Sequence, residues 1–297
     1  MTSDTSPRLA LSPVTISQCG FEESFQIAAE AGFKGIGLRY DRMEAYLANG
    51  KTIADVKKLS RTFALPFAEA AFLAEWQFHG GLPLICKRRR TGETNEENAQ
   101  ELRRQLVRFL EHCEELECAN VTAVPALWKT GDLDVAAEEF AALCDLARPY
   151  GVRLCIEFMG TAPQVKDLAA AQQVAASAAR SNGGVLIDTF LFHQGGSTLS
   201  QVEAIPLDFV FNVQLADAKH LPREQLNMLE DRLFPGTGSA PMRDIVAILS
   251  RRGYAGWWTV ELFNPDYAAS DPQAIARTAY ETSAALIEEA QHTEVVK

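Results

Sequence analysis

Four polar side chains interrupt or end strongly apolar segments in the second half of the sequence. Glu157 lies in LCIEF, Asp188 ends VLID, Gln214 lies in VFNVQLAD and Glu261 lies in WWTVEL. A carboxylate buried in such a segment is costly unless a cation or a hydrogen-bond donor compensates it. Three carboxylates and one amide oxygen form an oxygen-only ligand set, which suits Mn²⁺ or Mg²⁺ better than Zn²⁺. One such acid is often purely structural, but four of them at matching positions predict a divalent metal site.

The whole sequence alternates between short apolar runs and amphipathic helical stretches. Strands are predicted at 9–16, 33–38, 65–72, 120–124, 152–158, 184–187, 209–215 and 257–262, and helices at 21–31, 52–63, 94–117, 134–148, 165–180, 198–204, 241–252 and 272–290. Alternation of this kind produces a parallel sheet covered by helices. Eight such units predict an α/β fold, the (β/α)8 TIM barrel, as a single domain over 1–297 with the barrel at about 9–290.

A dinucleotide-binding sheet is the main alternative fold, and the glycine pattern speaks against it. No GxGxxG follows the first strand, and the Gly-Thr-Gly at 236–238 lacks the third glycine. In a TIM barrel the functional residues lie at the carboxyl ends of the strands. Glu157, Asp188, Gln214 and Glu261 belong to strands five, six, seven and eight, which are neighbours, so their side chains can converge on one ion.

Charge and composition exclude several other classes of protein. The chain has 39 acidic and 28 basic residues and a net charge of −11, which repels a phosphate backbone. Its one basic run, 87–90, is followed at once by acidic residues and is interpreted as a solvated loop. No apolar run approaches the roughly 18–20 residues of a membrane span. We therefore expect a small-molecule ligand, and neither a nucleic acid nor a membrane as partner.

The cysteines and the first residues of the chain bear on its location. The six cysteines are scattered without a CxxC pair, which is typical of reduced, buried cysteine rather than of disulfides or a zinc site. The first 14 residues are polar and interrupted by Pro7 and Pro13, a poor pattern for a signal peptide. Both observations favour a cytoplasmic location.

Several motifs resemble those of the xylose-isomerase-like TIM-barrel family. They are IEFMG, LIDTF, VQLADA, FPGTG and VELFNPDY, all within 151–267, and the resemblance extends over about 9–290. That family contains sugar isomerases and epimerases, inosose and 3-dehydroshikimate dehydratases, and the endonuclease IV group. The resemblance implies that Glu157, Asp188, Gln214 and Glu261 hold the metal. The expected ion is Mn²⁺, with Mg²⁺ or Co²⁺ as alternatives. The resemblance further implies a homo-oligomer.

The resemblance also assigns roles in catalysis and substrate binding. Glu157 and Glu261 match the glutamates that family epimerases use on opposite faces of the substrate, so we predict them to be the catalytic residues. Arg232 matches an arginine that contacts the metal and substrate region, and the alternative is a loop-anchoring salt bridge. The chain departs from the family at Gln214, where many members have His, and this glutamine resembles the dehydratase branch. It also lacks the Asp-x-x-His that often follows strand six.

Weaker candidates lie in the loops around the predicted site. His193 lies five residues after Asp188 and either reaches the substrate or is an ordinary surface histidine. Trp76 and His79 follow strand three, where they form either an aromatic wall for a polar ligand or part of the surface. Lys219 follows strand seven and is a candidate for contact with the ligand. Glu69, on strand three, either faces the pocket or forms an ion pair at the bottom of the barrel.

Four functions remain to be compared at this point. The first is an isomerase or epimerase of a keto sugar or cyclitol, in which the metal polarises a carbonyl and a carboxylate removes the adjacent proton. The second is a dehydratase with the same first step, followed by loss of water. A DNA-repair endonuclease would need several histidines and a basic face, and the chain has five histidines in total. A non-catalytic, ligand-binding barrel is disfavoured by the intact set of four metal ligands.

Overall fold

A closed barrel of eight parallel strands forms the centre of the structure. The computed structural model describes residues 7–77, 80–87 and 99–292. The barrel strands are β1 (Leu9–Leu11), β2 (Gly35–Arg39), β3 (Phe67–Ala74), β4 (Asn120–Val124), β5 (Arg153–Glu157), β6 (Gly183–Asp188), β7 (Val210–Leu215) and β8 (Trp257–Val260). Each strand pairs with the next, and β8 pairs with β1, which closes the ring. The predicted (β/α)8 TIM barrel is confirmed.

Helices surround the barrel and connect its strands. They are α1 (Phe21–Ala31), α2 (Tyr40–Ala48), α3 (Ile53–Thr62), α4 (Ala99–Glu115), α5 (Leu133–Ala147), α6 (Leu168–Ala178), α7 (Thr189–Gly195), α8 (Leu199–Ala204), α9 (Met242–Arg251), α10 (Pro265–Ala268) and α11 (Pro272–His292). Short 3₁₀ turns lie at Pro13–Ile16, Arg148–Tyr150, Leu207–Phe209 and Arg223–Gln225. In the described residues, no helix combines the length and the apolar character that a membrane span requires.

The predicted elements differ from the observed ones mainly near the barrel mouth. The first strand ends at Leu11 rather than 16, because Pro13 has no N–H to donate to a ladder and a 3₁₀ turn begins there. Helices α2 and α7 were not predicted: each begins directly at the end of a strand, so no polar loop separates the two elements. The predicted helix start at 94 lies outside the described residues.

Successive side chains of a barrel strand point alternately into the barrel and outward, so the side chains inside the barrel are separate from the main core. Val213 and Leu215 on β7 point outward into the main core, which fills the space between barrel and helices. Asn212 and Gln214, on the same strand, hydrogen bond to Glu69 on β3. Strands β3 and β7 are four positions apart around the ring, so this contact crosses the interior. The middle of the barrel is therefore polar.

An aromatic side chain at the amino end of the barrel leaves room only for glycine at position 35 on β2. Trp257, the first residue of β8, packs with Ala10 and Ala68 in a small apolar cluster. A Cβ at Gly35 would lie 2.7 Å from the ring of Trp257, closer than carbon atoms approach each other. Glycine at 35 therefore provides the room that the indole occupies.

Candidate active site

Three buried carboxylates meet at the carboxyl end of the barrel. Glu157 ends β5, Asp188 ends β6 and Glu261 directly follows β8, and the three are 8%, 1% and 4% exposed. One carboxylate oxygen from each lies within 4.8 Å of the others. Strand ends of a parallel barrel share one face, which explains why residues more than 100 positions apart in sequence converge. The structure thus brings together the three acids that the sequence analysis selected.

Asp188 also begins a helix, and both of its oxygens have partners. Its Oδ1 accepts a hydrogen bond of 2.9 Å from the backbone N–H of Leu191, which caps the amino end of α7. Its Oδ2 accepts a bond of 2.6 Å from Nη1 of Arg232. The helix therefore fixes the position of the carboxylate before any ligand binds.

Arg232 is a completely buried arginine beside the carboxylates. It is 2% exposed, and its guanidinium lies between the rings of Phe190 and Phe263, with centroid distances of 5.0 and 5.3 Å. Besides Asp188, it donates to the carbonyl oxygens of Met228 at 3.1 Å and Glu261 at 3.2 Å. Burial opposes its charge, but Asp188 and Glu261 hold the pKa of Arg232 above its ordinary value. Arg232 therefore supplies one permanent positive charge to the cluster.

The loop that carries Arg232 is held by Asp217, which follows β7. The carboxylate of Asp217 accepts hydrogen bonds from the backbone N–H groups of Gly238 at 2.8 Å and Ala240 at 2.9 Å. A Cβ at Gly238 would lie 2.1 Å from the carbonyl oxygen of Ala218. The FPGTG motif therefore needs its last glycine because two backbones pass each other here.

Among the described residues, buried Glu261 has one neutral side-chain donor and nearby charges of both signs. The hydroxyl of Ser12, directly after β1, donates to Oε1 of Glu261 at 3.1 Å. Burial raises the pKa of Glu261, Arg232 lowers it, and Asp188 raises it further, so that the net shift is upward. A carboxylate whose charged form is destabilised in this way gains from a nearby cation.

Gln214 lines the same cavity as Glu157 and Glu261 and has one buried atom without a partner among the described residues. Its Nε2 donates to both oxygens of Glu69, at 3.0 and 3.2 Å. Its Oε1 is buried and accepts no hydrogen bond from any described residue. A buried amide oxygen with no donor loses free energy, and a divalent cation at the carboxylates would satisfy it. This orphaned oxygen fits the predicted metal site.

Glu69 is buried in the barrel interior, and no arginine or lysine among the described residues pairs with it. Instead, its carboxylate accepts hydrogen bonds from the side-chain amides of Gln214 and Asn212. Burial and the nearby Glu261 raise the pKa of Glu69 to about 8, against the opposing effect of the two amides. Of the two alternatives for Glu69, the ion pair at the barrel bottom is therefore wrong.

A small cavity of about 70 Å³ opens beside Glu157, Gln214 and Glu261. Its walls include residues that the sequence analysis did not select, among them Arg39, Phe72 and Thr122. Arg39 ends β2 and pairs with Asp41 through two hydrogen bonds of 3.1 and 3.0 Å. The hydroxyl of Thr122 on β4 is buried and has no partner among the described residues. The same strand-end rule, applied to β2, would have found Arg39; Thr122 lies in the middle of β4, where that rule does not look.

The structure does not place all the weaker candidates at this cavity. Trp76 is wholly buried and packs against Phe140 of α5, at a centroid distance of 5.2 Å. Its indole therefore fills the core outside the barrel. The prediction that Trp76 forms a wall for the ligand is wrong. Lys219 forms a salt bridge of 2.7 Å with Asp231 instead of facing the cavity. His193 lies on α7, where burial lowers its pKa, and does not line the cavity. His79 lies outside the described residues.

A parallel eight-stranded barrel with an acidic cluster at the carboxyl ends of its strands has the layout of a TIM-barrel enzyme. The chain belongs to the family described as xylose isomerase-like TIM barrel, whose model matches residues 25–289. The resemblance inferred from its motifs is confirmed.

Named relatives fall into two groups. The chain is 26% identical over 282 residues to the inosose isomerase of Bacillus velezensis, covering 92% of this chain and 94% of that protein. It is 33% identical over 147 residues to the inosose isomerase of Halalkalibacterium halodurans, a match that spans 49% of this chain and only about half, 51%, of that protein. It is 28% identical over 270 residues to the 3-dehydroshikimate dehydratase of Pseudomonas aeruginosa, covering 88% of this chain and 39% of that protein.

A solved structure shares the fold over almost the whole chain. The IolI protein, crystallised with a bound zinc atom, superposes with a TM-score of 0.84 at 21% identity, covering 96% of this chain and 100% of that one. Because the superposition covers 96% of this chain, the two structures share the fold of the surrounding helices as well as that of the barrel strands.

Proposed function

We propose that this protein is a metal-dependent isomerase or epimerase that acts on the ketone of a cyclitol or keto sugar. The observation that carries the proposal is the cluster of Glu157, Asp188 and Glu261, together with Gln214, which lines the same cavity and whose Oε1 has no partner among the described residues. We assign all four residues as ligands of one divalent cation, Mn²⁺ in the first place because every donor is an oxygen. Similarity to inosose isomerases over most of the chain supports a cyclitol ketone as the substrate.

The charges of the cluster support a cation of charge +2. Three carboxylates face one hydrogen-bonded guanidinium, that of Arg232, which leaves two negative charges in a buried site. Arg39, the other arginine at the cavity, already pairs with Asp41. One divalent ion would therefore neutralise the site, whereas an uncompensated pair of buried charges costs several kcal/mol.

Different residues of the chain then have separate roles in the transfer of the proton. A bound cation supplies Lewis-acid polarisation of the substrate carbonyl, which acidifies the adjacent C–H. Glu157 and Glu261 remove the proton from that carbon and return one, as general base and general acid. Arg232 holds Asp188 in place and adds positive charge beside the developing oxyanion. The aromatic rings around Arg232 keep water from this side of the site.

A dehydratase is the second candidate, and Gln214 is the observation that favours it. Glutamine at this position resembles the dehydratase branch of the family, and 3-dehydroshikimate dehydratases are among the relatives. Both reactions begin with removal of the proton next to the ketone, so the metal and the two glutamates serve either one. Loss of water would produce a conjugated product that absorbs in the near ultraviolet, whereas isomerisation of an inosose produces no such band.

The metal assignment predicts a cation-dependent gain in stability. We expect one divalent ion per chain, removable by a chelator, and a melting temperature that rises with Mn²⁺ concentration, because a ligand that binds only the folded state stabilises it by mass action. The measurements are elemental analysis and thermal unfolding with and without Mn²⁺. The double variant D188A/E261A should lose the Mn²⁺-dependent rise, and stoichiometric metal in that variant would contradict the assignment.

A further inference from the structure

A chain of side-chain amides and a carboxylate crosses the barrel directly below the proposed metal site. Gln214 on β7 donates from Nε2 to both oxygens of Glu69 on β3, at 3.0 and 3.2 Å. Asn212, two residues before Gln214, donates from Nδ2 to the same carboxylate. Glu69, Asn212 and Gln214 are 2%, 0% and 1% exposed, so water does not compete for these hydrogen bonds.

The direction of these bonds decides which atom of Gln214 faces the carboxylate cluster. A side-chain amide has an oxygen at one position and an NH₂ group at the other, and only the oxygen binds a hard cation. In the structure both oxygens of Glu69 act as acceptors, from the side-chain amides of Gln214 and Asn212. Glu69 therefore binds the NH₂ side of Gln214, and Oε1 of this cavity-lining residue is left without a partner among the described residues.

We propose that Glu69 is a positioning residue that holds the amide of Gln214 with its oxygen toward the metal. The proposal rests on the metal site of the proposed function and adds a residue that binds neither metal nor substrate. Hydrogen-bond partners behind a ligand commonly contribute 10–100-fold to metal affinity (an order-of-magnitude range). Without Glu69, Gln214 can turn its NH₂ group toward the cation, and the site loses one of its four oxygen donors.

Two substitutions of Glu69 separate hydrogen-bond acceptance from charge. In Glu69→Met the side chain keeps a similar length but accepts no strong hydrogen bond, and we expect Mn²⁺ to bind roughly 10–100-fold more weakly. In Glu69→Gln one oxygen still accepts from Gln214. The amide of Asn212, whose other side-chain partner among the described residues is Thr259 at 3.4 Å, can turn to accept from the new NH₂ group. We therefore expect Glu69→Gln to keep nearly the wild-type Mn²⁺ affinity.

The experiment is titration calorimetry of the whole chain with Mn²⁺ alone, with near-ultraviolet circular dichroism in chelator as the control for folding. Gln214→Leu gives the loss expected when the ligand itself is removed. Adding Glu69→Met to Gln214→Leu should cause little further loss, because a double-mutant cycle shows coupling when one residue acts through another. Losses that multiply in the double variant would overturn the proposal, since Glu69 would then act on the metal directly.

The remaining outcomes also decide the matter. Wild-type affinity in Glu69→Met, with weaker binding in Gln214→Leu, would overturn the positioning role while leaving the metal site in place. A loss in Glu69→Gln equal to that of Gln214→Leu would overturn it as well, because charge rather than hydrogen-bond acceptance would matter; this holds even if Glu69→Met does not fold. Unchanged binding in Gln214→Leu would instead contradict the ligand set of the proposed function.

Discussion

Glu157→Gln and Glu261→Gln should each lower turnover of the true substrate by about 10²–10⁴-fold, the usual contribution of a positioned general base or acid. The exchange replaces a carboxylate by an amide of the same shape, so the fold should persist while the group that accepts the proton is lost. The amide oxygen can still serve as a neutral ligand, which keeps part of the metal affinity. Conversion of an inosose at saturating Mn²⁺, followed by proton nuclear magnetic resonance, measures the effect.

The matched control for both variants is Glu75→Gln, which changes a buried glutamate outside the cavity lining. We expect this variant to turn over at close to the wild-type rate. Each glutamate variant is also assayed with both epimers of the substrate. If the two variants lose activity on opposite epimers, one base acts on each face of the substrate. If the loss is equal for both epimers, a single base acts. Wild-type rates in both Glu157→Gln and Glu261→Gln would place the base elsewhere.

Arg232→Met should destabilise the metal-free protein by about 3–5 kcal/mol, the cost of removing one partner from a buried ion pair. Arg232 and Asp188 are 2% and 1% exposed and 2.6 Å apart. Methionine fills part of the space between Phe190 and Phe263 but leaves the carboxylate of Asp188 without its cation. Urea unfolding in the presence of chelator gives the difference in the free energy of unfolding.

Arg252→Met is the appropriate control for the loss of an arginine. Arg252 donates to the backbone carbonyls of Val202 and Ile205, each at 2.6 Å, so that its removal leaves no carboxylate of the described residues without a partner. We expect a clearly smaller loss there, and we expect Mn²⁺ to restore part of the stability of Arg232→Met only. Equal losses in the two variants would show that the pair with Asp188 contributes little.

Sequence patterns predicted the barrel because each parallel strand is buried on both faces and is followed by an amphipathic helix. The two strand ends beside Glu157 and Asp188 were located to within one residue: they were predicted at 158 and 187, and the strands end at Glu157 and Asp188. Helix α7 was missed because Phe190, Leu191 and Phe192 are all buried, which leaves no polar face and hence no helical period to detect.

The polar network behind the metal site could be predicted only in part. Glu69 stood out as an acid in an apolar strand, but its partners Asn212 and Gln214 lie more than 140 residues away in sequence. Which strand faces which across the barrel depends on the register of all eight strands, and no local pattern contains that information. Trp76 was misplaced for the related reason that its packing against Phe140 is a tertiary contact.

An isomerase or epimerase of this kind must exchange the carbon-bound proton next to the ketone, and that exchange can be measured in D₂O. Metal-loaded protein is incubated with an inosose in D₂O, and deuterium at the carbon next to the ketone is measured by nuclear magnetic resonance and mass spectrometry. We expect incorporation of deuterium at that carbon with the ring hydroxyls retained, and none after treatment with chelator. Stoichiometric Mn²⁺ without exchange in any inosose, keto sugar or 3-dehydroshikimate would contradict the proposed function.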